Sequence, residues 1–196
     1  MDEQDSQAPF LIVIGGSTGA IEPLVQLLQH LPPRLPASIL VVIHIQGRQS
    51  LALPNLLQRW SGHHALDAID STTLAPGYIY LAPPDHHLLV ALEELRVVMG
   101  PKEHGFRPAI DPLFRTAARS RGRKVVGVIL SGALWDGTAG LAEVKALGGV
   151  TIVQDPNQAL VPSMPQSAIN YGVVDHILPI AEIATLLVTL TQQSQR

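Results

Sequence analysis

Four stretches of the chain are apolar without alternation: "FLIVIG" (10–15), "SILVVIHI" (38–45), "KVVGVIL" (124–130) and "GVTIV" (149–153). Each is short and rich in β-branched residues. Runs of this kind suit strands buried on both faces, as in a parallel sheet. Between the first two, "AIEPLVQLLQHL" (20–31) places Ile21, Leu24, Val25, Leu28 and Leu31 at helical spacing, and Pro32–Pro33 stop it. Strand, loop, helix and strand make a βαβ crossover. Further helices are expected at 110–122, with Asp111 as N-cap, Pro112 at the first helical position and Gly122 as the stop, and at 138–149 and 181–192.

The middle of the chain has another rhythm. "GYIYLA" (77–82), "HHLLVAL" (86–92) and "LRVVM" (95–99) follow closely on one another, separated by Pro83–Pro84 and Glu93–Glu94. That spacing predicts hairpins, antiparallel and near a sheet edge. The expected fold class is therefore α/β: a doubly wound, mostly parallel, Rossmann-like sheet with an antiparallel hairpin at one edge. Residues 1–9 read as a disordered N-terminal tail, 10–192 as one domain, and the polar end "TQQSQR" (191–196) as loose.

Composition narrows the function classes. Formal net charge is -3, and "RSRGRK" (119–124) is the one basic cluster, which is better read as a helix end than as a nucleic-acid site. There is no cysteine, so disulfides, thiolate ligands and a cysteine nucleophile are excluded. No apolar run approaches the roughly 20 residues that span a bilayer. The acidic N-terminus "MDEQDSQ" is unlike a secretory leader. A cytoplasmic protein without membrane insertion is expected.

In doubly wound sheets, sites form outside the carboxyl ends of the strands. The polar residues there are Ser17, His44, Ser131 with Asp136, and Asp155. Ser, His and Asp are the parts of an acyl-transfer triad. Gly15-Gly16-Ser17-Thr18-Gly19 fits G-x-S-x-G, in which small neighbours allow a sharp strand-to-helix turn that exposes the hydroxyl. A phosphate loop fits worse. The dinucleotide fingerprint would need Gly at Ile14, and no lysine follows Gly19. A tight turn without a ligand stays open, as does a purely structural role for His44. Spacing does not choose between Asp136 and Asp155, while Asp111 is better explained as a cap. The pairs His63–His64 and His86–His87 point to opposite faces if they lie on strands, and H-E-x-x-H is absent, so neither metal nor cofactor is expected.

Taken together, these segments resemble the catalytic domain of the chemotaxis protein-glutamate methylesterases. That family carries G-A-S-T-G-G, against Gly15-Gly16-Ser17-Thr18-Gly19-Ala20, and Q-H-M, against Ile43-His44-Ile45. Its R-P-S-V-D-x-L-F is matched by Arg107 to Phe114, and its V-G-V-I-L-T/S-G-M-G-x-D-G by Val126 to Gly137. "PGYIYLAPPDHHL" and "MPQSAIN" extend the likeness over about residues 10–180. The resemblance implies Ser17 as nucleophile, His44 as base and Asp136 as the orienting acid. Thr18, Ala133, Trp135, Phe106 and Arg107 would shape the site, with an oxyanion donor at the Ala133 backbone. It implies hydrolysis of glutamate methyl esters, and deamidation of glutamines, on the cytoplasmic helices of chemoreceptors or a related signalling protein.

Ala133-Leu134-Trp135 replaces the family's Met-Gly-x. Leucine restricts positive φ at 134, so a reshaped loop is expected. Phe106 replaces the usual His. The receiver domain that typically precedes this domain is not seen, so the expectation is a stand-alone enzyme, with regulation of that kind either supplied by a separate receiver protein or absent. The alternatives are an esterase or amidase for another substrate, with Trp135 and Phe106 facing an apolar group, and a weakened binding module.

Overall fold

The computed structural model describes residues 9–45 and 49–193. Among these, seven strands form one sheet: β1 (Phe10–Gly16), β2 (Ala37–Ile43), β3 (His64–Asp67), β4 (Tyr78–Leu81), β7 (Val125–Ile129), β8 (Val150–Gln154) and β9 (His176–Leu178). Their order is β3-β4-β2-β1-β7-β8-β9, and every neighbouring pair is parallel. The helices are α1 (Ile21–His30), α2 (Gln49–Ser61), α3 (Ile110–Arg121), α4 (Thr138–Ala146), α5 (Ser163–Tyr171) and α6 (Ile180–Gln193).

The alternation of side chains along the central strands divides the core in two. Ile12 and Ile14 of β1 and Ile39 and Val41 of β2 face Leu24 and Leu28 of α1, Leu57 of α2 and Leu187 of α6. Leu11, Val13, Leu40 and Val42 face the other layer, with Phe114 of α3, Leu141 of α4 and Met164 of α5. Burial on both faces explains why these strands read as unbroken apolar runs.

The strand β4 departs from the sequence expectation. It is parallel and lies between β2 and β3, not in a hairpin. The hairpin itself runs from β5 (His87–Ala91) to β6 (Glu94–Val98). It is a separate two-stranded sheet rather than an extension of the sheet edge, and its Leu88, Val90 and Leu95 pack into the layer that holds Phe114. Closeness in sequence favours a hairpin between 77–82 and 86–92. The burial of Ile79, Tyr80 and Leu81 is instead that of an interior strand. At the C-terminus, residues 191–193 continue α6 rather than hanging loose, and Thr191 is buried with its hydroxyl donating to the Leu187 carbonyl. Residues 1–8 of the expected tail lie outside the described residues.

From β1 the chain moves one way to β2, and β7 lies on the other side of β1. The order therefore reverses between β1 and β7, where a crevice opens beyond the carboxyl ends of the strands. Ser17, His44 and the 131–137 loop all follow strands at that end.

Candidate active site

Ser17 begins the turn between β1 and α1. Its N–H donates to the Ser131 carbonyl at 3.0 Å, and its carbonyl accepts from Ala20 N–H at 3.0 Å. Ser131 secures this turn from below. Its buried hydroxyl donates to the Thr18 carbonyl at 2.8 Å and accepts from Val161 N–H at 3.0 Å, and its own N–H donates to Gln154 Oε1 at 2.8 Å. Gly132 lets the two loops meet: a methyl group there would sit 3.0 Å from Ser17 Cβ and 2.7 Å from Met164 Sδ.

His44 directly follows β2, and its N–H donates to the Gly16 carbonyl at 3.0 Å, so β1 fixes its height. The imidazole is 5% exposed. Its Nε2 lies 2.9 Å from Asp136 Oδ2. Its Nδ1 is buried without a hydrogen-bond partner among the described residues. One ring face is covered by Phe106, with centroids 3.8 Å apart and planes 6° from parallel. Ser17, Thr18, His44, Lys102, Phe106 and Ala133 share one cleft of about 410 Å³, which Arg107 also lines.

Asp136 is buried and accepts from three directions. Besides His44, the N–H groups of Ile110 and Asp111 donate to its Oδ2 and Oδ1 at 2.7 and 3.1 Å. Burial pushes this carboxyl up, but the His44 bond, the two backbone donors and the charge of His44 together hold it below its ordinary value. An ionised Asp136 makes Nε2 the protonated nitrogen of neutral His44 and leaves the Nδ1 lone pair free.

The two backbone donors belong to the first turn of α3, which Asp136 caps from another loop. Asp111 is therefore not the cap of its own helix. Ala109 occupies that place with an extended backbone, and Asp111 lies inside the first turn. Pro112, expected at the first helical position, is the third residue of α3, still a place where no N–H is needed. The Asp111 carboxyl instead reaches the start of α4, where Oδ1 accepts from Gly140 N–H at 2.6 Å, while Oδ2 pairs with His104 Nε2 at 2.9 Å. Each helix start is thus capped by a carboxylate from beside the other. No local signal in the sequence reveals this exchange.

Burial pushes Asp111 above its ordinary value, and the nearby Asp136 charge adds to the rise, against the Gly140 bond and the His104 bond and charge. A carboxyl raised in the folded state favours folding below its unfolded value, and that contribution is lost as pH rises through the folded one. Asp111→Asn keeps an acceptor for Gly140 and cannot ionise. Thermal unfolding is expected to show it gaining stability relative to the parent as pH rises from about 4 to 8. The gain should shrink to nothing by about pH 4.

The remaining predicted residues divide. Phe106 and Ala133 reach the cleft, and so does Thr18. Arg107 lines it too, but its guanidinium is tied to Asp85 Oδ1 at 2.7 and 2.9 Å and to the Gly100 carbonyl at 2.7 Å. Trp135 is not a lining residue of the cleft. It is 54% exposed and meets His104 edge-on at 6.3 Å. Leu134 holds φ at +67°, so leucine has not excluded the conformation that was expected to be lost. Asp155 accepts from Asn157 N–H at 2.9 Å in a local turn. The buried His87 donates from Nε2 to the Pro101 carbonyl at 2.8 Å and accepts Ala109 N–H on Nδ1 at 3.2 Å, which ties the 100–109 loop to the start of α3.

His104, Asp111 and Asp136 bring potential ligand atoms within 4.8 Å of one another. Those oxygens already accept three backbone N–H groups and face two imidazoles. The donor set fits caps rather than a cation shell.

The CheB methylesterase family model matches residues 12–187. The chain belongs to the CheB methylesterase family. A putative protein-glutamate methylesterase/protein-glutamine glutaminase from Leptospira interrogans is 36% identical over 184 residues, which are 93% of this chain and 95% of that protein. A relative of the same description, without "putative", from Pyrococcus abyssi is 35% identical over 92% of this chain. The chain spans about half the length of that relative, 50%. The crystal structure of the Thermotoga maritima CheB methylesterase catalytic domain superposes with a TM-score of 0.89 at 33% identity, over 93% of this chain and 99% of that one. The sheet, the helices on both faces and the membership agree. Among the described residues, no helix is long and apolar enough to cross a membrane.

Proposed function

We propose that this chain is a serine methylesterase acting on glutamate methyl esters of chemoreceptor helices in the cytoplasm, with Ser17 as nucleophile, His44 as base and Asp136 as the group that orients and offsets His44. The observation that carries the reading is the His44–Asp136 bond at the wall of the cleft that Ser17 also lines. The names of the relatives supply the substrate class and the parallel deamidation of glutamine.

The chemistry follows from the free nitrogen. His44 Nδ1 takes the Ser17 proton as Oγ attacks the ester carbonyl. The imidazolium then returns that proton to the departing methoxide, and methanol leaves. Water, deprotonated by the same nitrogen, attacks the acyl-enzyme and releases glutamate and the serine. For glutamine the leaving group is ammonia. The oxyanion is offered the Thr18 and Ala133 N–H groups, which the backbone bonds anchoring the two turns leave unused among the described residues.

The test is methanol release from a methylated receptor cytoplasmic fragment, with matching gain of carboxylates. Release is expected. Cleavage of small model esters with the receptor fragment untouched would assign the site another substrate, and no cleavage of either would leave a binding module.

A further inference from the structure

Phe106 does more in this cleft than fill space. Its ring lies flat on His44, in a stack 3.8 Å between centroids and 6° from parallel. The ring is held there by its loop. Phe106 N–H donates to the Glu103 carbonyl at 2.8 Å, and Glu103 N–H returns a bond to the Phe106 carbonyl at 3.1 Å. The Glu103 carboxylate accepts from Arg115 Nη2 at 2.9 and 3.0 Å. The next residue, Arg107, is anchored to Asp85 and Gly100. The loop thus presents one aromatic face to one imidazole face, while Asp136 fixes the imidazole edge.

We propose that Phe106 is a positioning residue that stabilises the protonated form of His44 as the Ser17 proton is transferred, a role that rests on the serine-esterase reading above. The face of a phenyl ring carries negative quadrupole density. A neutral imidazole stacked on it gains dispersion. An imidazolium in the same place gains cation–π attraction as well. The charged form arises in the transition states of both acylation and deacylation, so the extra attraction is made only there, and it speeds both steps. The other charged groups near the ring are Asp136 at its edge, which favours the imidazolium, and Lys102 and Arg107 in the cleft, which oppose it. Arg107 is offset by Asp85. The aromatic face therefore acts beside the single carboxylate bound to His44, on an imidazole that is itself 5% exposed.

The test compares aromaticity with volume. The parent chain, Phe106→Leu, Phe106→Tyr and chains carrying difluoro- or pentafluorophenylalanine at 106 are assayed for Ser17 labelling rate with a fluorophosphonate, for kcat and KM with one ester, and for thermal midpoint. Fluorination drains the ring face of negative density and leaves its shape almost unchanged. Labelling rate and kcat are expected to fall about tenfold in Phe106→Leu and to fall stepwise with fluorination, at unchanged KM and midpoint, while Phe106→Tyr stays near the parent. A pentafluoro chain as fast as the parent would overturn the role of Phe106, whatever the leucine chain does, and leave Ser17 and His44 in place. A parent chain whose Ser17 does not react would overturn both.

Discussion

Asp136→Asn is expected to keep the fold and lose the reaction. The carboxylate meets three donors, the His44 ring and the N–H groups of Ile110 and Asp111. An amide has one oxygen. Whichever way it turns, its NH2 group opposes either the Asp111 N–H or the His44 edge, and the negative charge that offsets the imidazolium is gone. A kcat/KM loss of about 10³- to 10⁴-fold follows from the loss of a triad acid. Asp136→Ala goes further, because it strands two buried N–H groups at the start of α3. Leaving a buried donor unsatisfied costs about 1–3 kcal/mol, so with two such donors alanine is expected to lose roughly 2–6 kcal/mol in denaturant unfolding, while asparagine loses clearly less. An asparagine variant within about tenfold of the parent rate would remove Asp136 from the mechanism. The pH dependence has a fixed sign. A carboxyl held low in the folded state stabilises above its unfolded value, and this is lost as pH falls through the folded one.

Ser17→Ala has the larger effect on rate and the smaller one on stability. The turn is held by the Ser17 N–H and carbonyl, and alanine keeps both. The thermal midpoint is expected to stay within about 2 °C of the parent. Methanol release is expected to fall on the order of 10⁶-fold, the scale seen when the nucleophile of a serine triad is removed. The close packing at Gly16 and Gly132 supports this expectation: the turn is held by backbone bonds to Ala20 and Ser131 and by the Met164 N–H bond to Gly132, not by the hydroxyl.

What the sequence revealed was governed by burial. Unbroken runs such as "FLIVIG" mark strands covered on both faces, and β1, β2, β7 and β8 were legible for that reason. The edge strands β3 ("HALD") and β9 ("HIL") are short and partly exposed, so they leave no such run. The helix α2 contains Pro54, and α5 contains Pro165 and has no acidic residue in its first turn or basic residue in its last, so sequence patterns mark neither. The strand-end rule found Ser17, His44 and Asp136 because topology places such residues together, and it found Asp155 on the same terms. Position along the strands does not separate the two acids; the family likeness points to Asp136, and in the fold Asp136 bonds His44 while Asp155 bonds Asn157. The exchanged caps of Asp111 and Asp136 and the stack of Phe106 on His44 join residues far apart in sequence. Periodicity and turn chemistry carry no trace of them. Ser131 stood in view at the end of β7, yet its part in holding the Ser17 turn depends on Thr18, Gln154 and Val161 arriving beside it.

The central claim is that Ser17 is an activated nucleophile. The most direct measurement is reaction of the folded chain with a fluorophosphonate, with the modified residue located by peptide mass spectrometry. The account predicts one adduct, on Ser17, formed rapidly by the parent, slowly by Asp136→Asn and not at all by Ser17→Ala. A folded parent chain that stays unmodified, or an adduct on another residue that persists in Ser17→Ala, would contradict it.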